Sequence, residues 1–176
     1  MGNCEERSGL VQIYTGEGKG KTTAALGQAM RAAGQGLKVL FVQFVKGDPL
    51  CGEHFFAKKY KAFEIAQLNN KSSFSQSPEE LRLAAEKALG YAEKAVFEGG
   101  YDMVILDELC YALSQGYTPL PRVLDMIRKK PKSLELVLTG RGAPRELIEE
   151  ADLVTEMVVV KHPLEKGIKA RKGIEY

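Results

Sequence analysis

The ten residues from Thr15 to Ala24 (TGEGKGKTTA) bring together three glycines, two lysines and three threonines in a spacing suited to holding phosphate. A phosphate-binding loop normally reads G-x-x-x-x-G-K-[ST]. Here Gly16 stands only four positions before Gly20, so the loop is one residue short, and Thr15 fills the place of the first glycine. Gly16, Gly18 and Gly20 remove side chains that would block a phosphate and permit positive φ. Lys21 supplies a mobile ammonium for terminal phosphates, and Thr22 can place its hydroxyl on Mg²⁺ or Mn²⁺. The expected ATP-binding set is Thr15, Gly16, Glu17, Gly18, Lys19, Gly20, Lys21, Thr22 and Thr23, with Lys21 and Thr22 expected to serve catalysis. Lys19 has the weaker case, a solvated lysine being its alternative. A second piece, MVILDE, closes an apolar run with Asp107 and Glu108. Acids at the C-terminal end of a strand are placed to meet a metal ion and its waters, so Thr22, Asp107 and Glu108 form the expected Mg²⁺ set. A solvated acidic turn is the plainer alternative.

Such groups converge only if particular elements carry them. Leu10–Tyr14 (LVQIY) reads as a strand that enters the glycine loop, and 22–33 (TTAALGQAMRAA) as the helix leaving it, ended by Gly34 and Gly36. A strand–loop–helix of this kind aims backbone N–H groups and the helix N-terminus at one point. Residues 37–45 form a second buried strand, 46–61 a long loop without clear period, and 63–68 a weaker strand. Ser77 caps a helix opened by Pro78 and running to about Glu98. Strands at 103–106, 134–139 and 154–160 alternate with helices at 121–130 and 144–150. Alternation of this sort predicts an α/β fold, a mostly parallel sheet with helices on both faces, and the glycine loop after its first strand adds the expectation of a P-loop NTPase-like (RecA-like) form. Ligand sites in such sheets lie beyond the C-terminal ends of the strands.

Composition sets the class. The 176 residues suit one domain, 9–176, after a short tail at 1–8. A net charge of +2 is too small to argue for nucleic acid or an anionic membrane surface. No apolar run reaches the length of a membrane span, and MGNCEERSG has no signal-peptide core. Cys4, Cys51 and Cys110 are widely spaced and read as reduced thiols, which predicts a cytoplasmic protein.

Nucleotide binding does not name a reaction, because kinases, ATPases and GTPases share these parts. The wider text is more specific. In TGEGKGKTTAALGQAMRAAG (15–34), VQFVKG (42–47), DMVILDEL (102–109), LVLTGRGAPRELIEEADLVTEM (136–157) and VKHPLEKGIKARKGIEY (160–176) the chain resembles the P-loop corrinoid adenosyltransferases. The short loop with Thr before its first glycine is that family's own form. What the resemblance implies is attack by a cob(I) corrinoid on the 5′ carbon of ATP, with intact triphosphate leaving and the nucleotide reversed along the loop. A reduced cobalt carries no proton to remove, so no general base is needed; charge on the departing triphosphate must be stabilised.

The resemblance also implies a homodimer and a reduced flavoprotein, such as flavodoxin, as electron donor. Gln43 and Lys46 read either as substrate contacts or as a capped strand end. Arg141 reads as a contact to phosphate or to corrin side chains, or as a surface arginine, and the basic tail either packs near the corrinoid with the dimer partner or is solvated. The chain departs from the family in its short N-terminus and in having no Trp. Phe74 in NNKSSFSQS takes the place of the family's tryptophan ahead of the long helix, with a core anchor as its alternative. A P-loop kinase or NTPase, or a nucleotide-dependent regulatory module, are the other classes; neither an acceptor motif nor a basic aromatic stripe is found for them.

Overall fold

A computed structural model of the chain describes residues 8–47, 51–69, 71 and 75–176. The expectations for Cys4 and Phe74, and nearly all of the proposed 1–8 tail, lie outside these residues.

Strand β1 (Val11–Thr15) runs into the glycine loop and helix α1 (Lys21–Gly34). Then follow β2 (Val39–Gln43), α2 (Gly52–Tyr60), β3 (Glu64–Gln67) and the long α3 (Pro78–Glu98). The second half holds β4 (Met103–Asp107), α4 (Leu109–Ser114), α5 (Leu120–Lys129), β5 (Glu135–Thr139), α6 (Arg145–Glu150) and β6 (Leu153–Glu156). The strands form one six-stranded sheet in the order β3-β2-β4-β5-β1-β6, and every pairing is parallel.

The period of two in each strand divides the core. Met103 and Ile105 of β4, Phe41 of β2 and Val137 of β5 face Ala25, Ala29 and Ala32 of α1. Val104, Leu106, Leu40, Val42, Leu136 and Leu138 face the apolar stripe of α3 together with α4, α5 and α6. Helices thus cover both faces, as the apolar runs require. Small residues on the buried stripe of α1 bring its backbone close to the sheet, which sets the loop ahead of it above the ends of β1 and β4. Helix α3 starts where the sequence places it: Ser77 Oγ accepts from the Glu80 N–H at 3.2 Å and Glu80 accepts from the Ser77 N–H at 2.9 Å.

Two expectations are corrected, and one helix, α4, lies where the sequence offered no reading. The stretch 46–61 is not all loop, because α2 spans Gly52–Tyr60; only Ala57 of that helix is buried, so no apolar period marks it. Helix α4 follows Glu108 directly and is too short, at six residues, to display a period. The last strand ends at Glu156, not Val160, because Met157 turns across the glycine loop: its N–H donates to Thr15 O at 2.9 Å and its carbonyl accepts from the Gly18 N–H at 2.6 Å.

Candidate active site

The C-terminal ends of β1, β4 and β5 converge with the glycine loop on a cleft of about 1030 Å³. Gly16 (φ 93°) and Gly20 (φ 122°) lie in the left-handed region that favours glycine. Lys21 is buried, and its Nζ donates to the carbonyls of Gly16 and Gly18, both at 2.7 Å. The ammonium thereby fastens the loop it follows. Burial lowers its pKa, while Glu108, Glu17 and Asp107 pull it back up.

Asp107 closes β4 with no exposed surface and gathers three neighbours. Thr22 Oγ1 donates to Oδ1 at 2.9 Å, Thr139 Oγ1 donates to the same oxygen at 2.7 Å, and Lys46 Nζ donates to Oδ2 at 2.9 Å. Lys46 also donates to Thr22 Oγ1 at 3.0 Å. Burial works against the Lys46 charge, yet Asp107 and Glu108 outweigh it and leave the pKa raised. Glu108 has φ 62° and its N–H donates to Thr139 Oγ1 at 3.0 Å. Burial first, then Asp107, raise the Glu108 pKa; Lys46, Lys21 and Arg141 offset this only in part. Thr22, Asp107 and Glu108, expected together from sequence, are therefore brought together.

The other expected residues divide. Glu17, Gly18, Lys19, Gly20, Thr23, Lys46 and Arg141 all line the cleft. Thr15 lies beneath it, its Oγ1 accepting from the Ala143 N–H at 3.3 Å. Arg141 and Glu17 pair across the mouth at 3.3 Å, and Lys19 pairs with Glu175 of the tail at 2.7 Å. Gln43 is 1% exposed and sits behind the cleft wall, where its Oε1 meets His54 Nε2 at 2.9 Å and so ties β2 to α2.

Thr139 was not anticipated, although a threonine closing LELVLT at a strand end is a visible signal for such a buried hydroxyl. Met157, whose backbone braces the loop, has no signal in its type. Among the described residues no three His, Cys, Asp or Glu side chains group as a metal cage.

Comparison with known proteins separates the chemistries that this geometry leaves open. In the solved structures, the flagellar accessory protein FlaH from Methanocaldococcus jannaschii has a TM-score of 0.56 at 12% identity, covering 85% of this chain and 71% of that one. That likeness concerns the fold alone. Among curated proteins, the chain is 37% identical over 179 residues to a corrinoid adenosyltransferase of Pseudomonas aeruginosa, covering all of this chain and 88% of the relative. It is 35% identical over 176 residues to the corrinoid adenosyltransferase of Escherichia coli K12 and 34% identical to corrinoid adenosyltransferase CobA of Salmonella typhimurium, each time covering all of this chain and 90% of the relative. The family described as ATP:corrinoid adenosyltransferase BtuR/CobO/CobP matches residues 7–176, every part of the cleft included. With the motifs, the fold and the full-length relatives in agreement, the chain belongs to the ATP:corrinoid adenosyltransferase family.

Proposed function

We propose that this chain transfers the 5′-deoxyadenosyl group of ATP to the cobalt of a cob(I) corrinoid and releases triphosphate. The observation that carries the reading is the cleft itself, which is lined both by the phosphate-binding loop and by the apolar side chains of Leu26, Met30, Phe56 and Phe63. The charged lining suits the triphosphate, and the apolar lining suits a flat organic substrate. In the transfer, the cobalt electron pair forms the bond to C5′ while the C5′–oxygen pair leaves with the triphosphate. Lys21 and the loop amides stabilise the charge that develops there, and Thr22 orients the phosphate chain. Positioning of C5′ against cobalt supplies the rest of the rate enhancement. Arg141, on the rim, reaches either phosphate or the corrin side chains.

The Thr22 hydroxyl and the Asp107 and Glu108 carboxylates are hard oxygen donors that fit Mg²⁺ or Mn²⁺, and the first two already receive one cation, the Lys46 ammonium. When bound, the ion would neutralise triphosphate charge. A homodimer is supported by the exposed apolar surface of Leu153, Val154, Val158 and Val160 at and beyond the sheet edge. Light scattering is expected to give twice the chain mass, and a monomer at micromolar concentration would reject the dimer. A reduced flavoprotein such as flavodoxin is the proposed electron donor. The cytoplasm is the proposed location; among the described residues no helix is long and apolar enough to cross a membrane.

The test is an anaerobic reaction of the protein with MgATP and chemically reduced cob(I)alamin. Light-sensitive adenosylcobalamin and one intact triphosphate per turnover are expected. Lys21→Ala is expected to lower kcat/KM by about 10²–10³-fold, the range for loss of one charge-stabilising donor. ADP or orthophosphate without a cobalt–carbon product would instead identify a P-loop NTPase.

A further inference from the structure

Lys46 stands in the chain directly before Gly47, beyond the end of β2, yet its ammonium lies between two groups from other elements. Nζ is 2.9 Å from Asp107 Oδ2 at the end of β4 and 3.0 Å from Thr22 Oγ1 in the first turn of α1. Thr22 gives its own proton to Asp107 Oδ1 at 2.9 Å, so one hydroxyl lone pair takes the ammonium and a single one is left. A divalent ion bonded to that oxygen would sit about 2.1 Å from it. The ion and the ammonium would then be at most about 5 Å apart, three positive charges around one hydroxyl.

The local charges also balance without such an ion. Asp107 and Glu108 are matched by Lys46 and Lys21, and Lys21 is committed to the carbonyls of Gly16 and Gly18. Added alone, a divalent cation meets a site whose carboxylate charge is already answered. Added with ATP, it arrives with the phosphate charge that makes a further cation favourable.

We propose that Lys46 is a built-in counter-cation of the Thr22–Asp107 pair, which a divalent metal must displace, so that the protein takes up metal only together with nucleotide phosphate. The proposal rests on the reading that Thr22 and Asp107 hold the metal. Lys46 acts as a positioning residue. Its ammonium keeps the buried Asp107 compensated and oriented, and its flexible stem lets it withdraw.

Mn²⁺ serves as the probe, read without ATP by the loss of the free-ion EPR signal and with ATP by equilibrium dialysis against the same Mn²⁺–ATP mixture, which counts only metal held by the protein. The wild-type chain is expected to bind Mn²⁺ weakly alone and well with ATP. Lys46→Met and Lys46→Gln are expected to bind Mn²⁺ without ATP at least about tenfold more tightly than the wild type, the ordinary scale of coupling between two ligands. Their Tm is expected to fall and to be recovered by Mn²⁺ alone, whereas the wild-type Tm moves only with Mn²⁺ and ATP together. Equal Mn²⁺ affinity of the wild type and these variants without ATP overturns the proposal. Should neither variant fold, a wild-type Tm raised by millimolar Mn²⁺ alone overturns it, and an unmoved one supports it. Thr22→Val separates the underlying reading. If it leaves Mn²⁺–ATP binding unchanged, the metal is not held there at all; if it weakens that binding while Lys46→Met gains nothing, only the role of Lys46 is rejected.

Discussion

Glu108 holds its backbone at φ 62° and its carboxyl among Asp107, Lys46, Lys21 and Arg141 at the mouth of the cleft. For a residue other than glycine both the conformation and the neighbouring carboxylate work against stability, a combination typical of functional sites. Its pKa is raised by burial and then by Asp107, so between the ordinary carboxyl value of 4.5 and that raised value the folded chain holds a proton that the unfolded chain has lost. Across this window stability falls as pH rises. Glu108→Gln cannot ionise. It is expected to be more stable than wild type at neutral pH by about 0.5–2 kcal/mol, the usual size for relieving such a group. That difference should close as pH is lowered through the window, and adenosyl transfer should fall by about 10–100-fold if the carboxylate helps to orient the metal. Denaturant melts from pH 4 to pH 8 give the first result and steady-state kinetics the second; a variant less stable at every pH would remove the electrostatic account. Cys110, two residues on, is a contrast. Burial, with Glu108 behind it, pushes its thiol up to about 12, which leaves a packed and unreactive side chain.

At the scale of elements, the glycines separate those that permit a close approach from those that only loosen a helix. A Cβ on Gly18 would meet the Met157 carbonyl at 2.6 Å, where the chain beyond β6 braces the loop. A Cβ on Gly90, inside α3, would have the Arg122 guanidinium as its nearest neighbour at 3.9 Å. Gly90→Ala is therefore expected to stabilise by about 0.5–1 kcal/mol and to leave catalysis alone. Gly18→Ala is expected to destabilise by about 1–3 kcal/mol and to weaken ATP binding. Urea titration of the two variants, with equilibrium ATP binding, decides whether the loop is held by the chain beyond β6 or stands free. This bracing was not legible in the sequence: TGEGKGKTTA announces a phosphate loop, but nothing in ADLVTEM tells that Met157 will cross it. The central strands β2 and β4 were legible because both their faces are buried, which yields continuous apolar runs such as MVIL. Helix α2 was not, because Phe55, Phe56 and Tyr60 remain exposed on it, and an apolar period is visible only where one face is buried. Gln43 shows the same limit at the site. Its place at a strand end could be read, but its burial against His54 depends on a helix that the pattern concealed.

For the molecule as a whole, the sheet is a rigid base and the carboxyl-terminal segment a loosely held wall. Val104, Ile105 and Leu106 at the sheet centre have no exposed surface, whereas from 161 to 176 every residue but His162 is exposed. Hydrogen bonds within that segment are local, as in the Gly167 N–H to Leu164 O turn and the Arg171–Glu175 pair. Its tie to the glycine loop is the Lys19–Glu175 ion pair, with both side chains partly solvated. Segments of this kind open at little cost in free energy, whereas central strands open only with global unfolding. Amides after Val160 are thus expected to exchange with deuterium at least about 10³-fold faster than those of β4. Glu175→Gln is expected to speed exchange in the segment a few-fold, without altering β4 or Tm, because an exposed pair adds little to global stability. The same variant frees Lys19 for phosphate, so KM for ATP should fall by about two- to fivefold, as expected for a cation no longer shared with a carboxylate. A lowered Tm with faster exchange in β4 would mean that the segment is an integral part of the core, and an unchanged KM would mean that Lys19 does not reach the nucleotide.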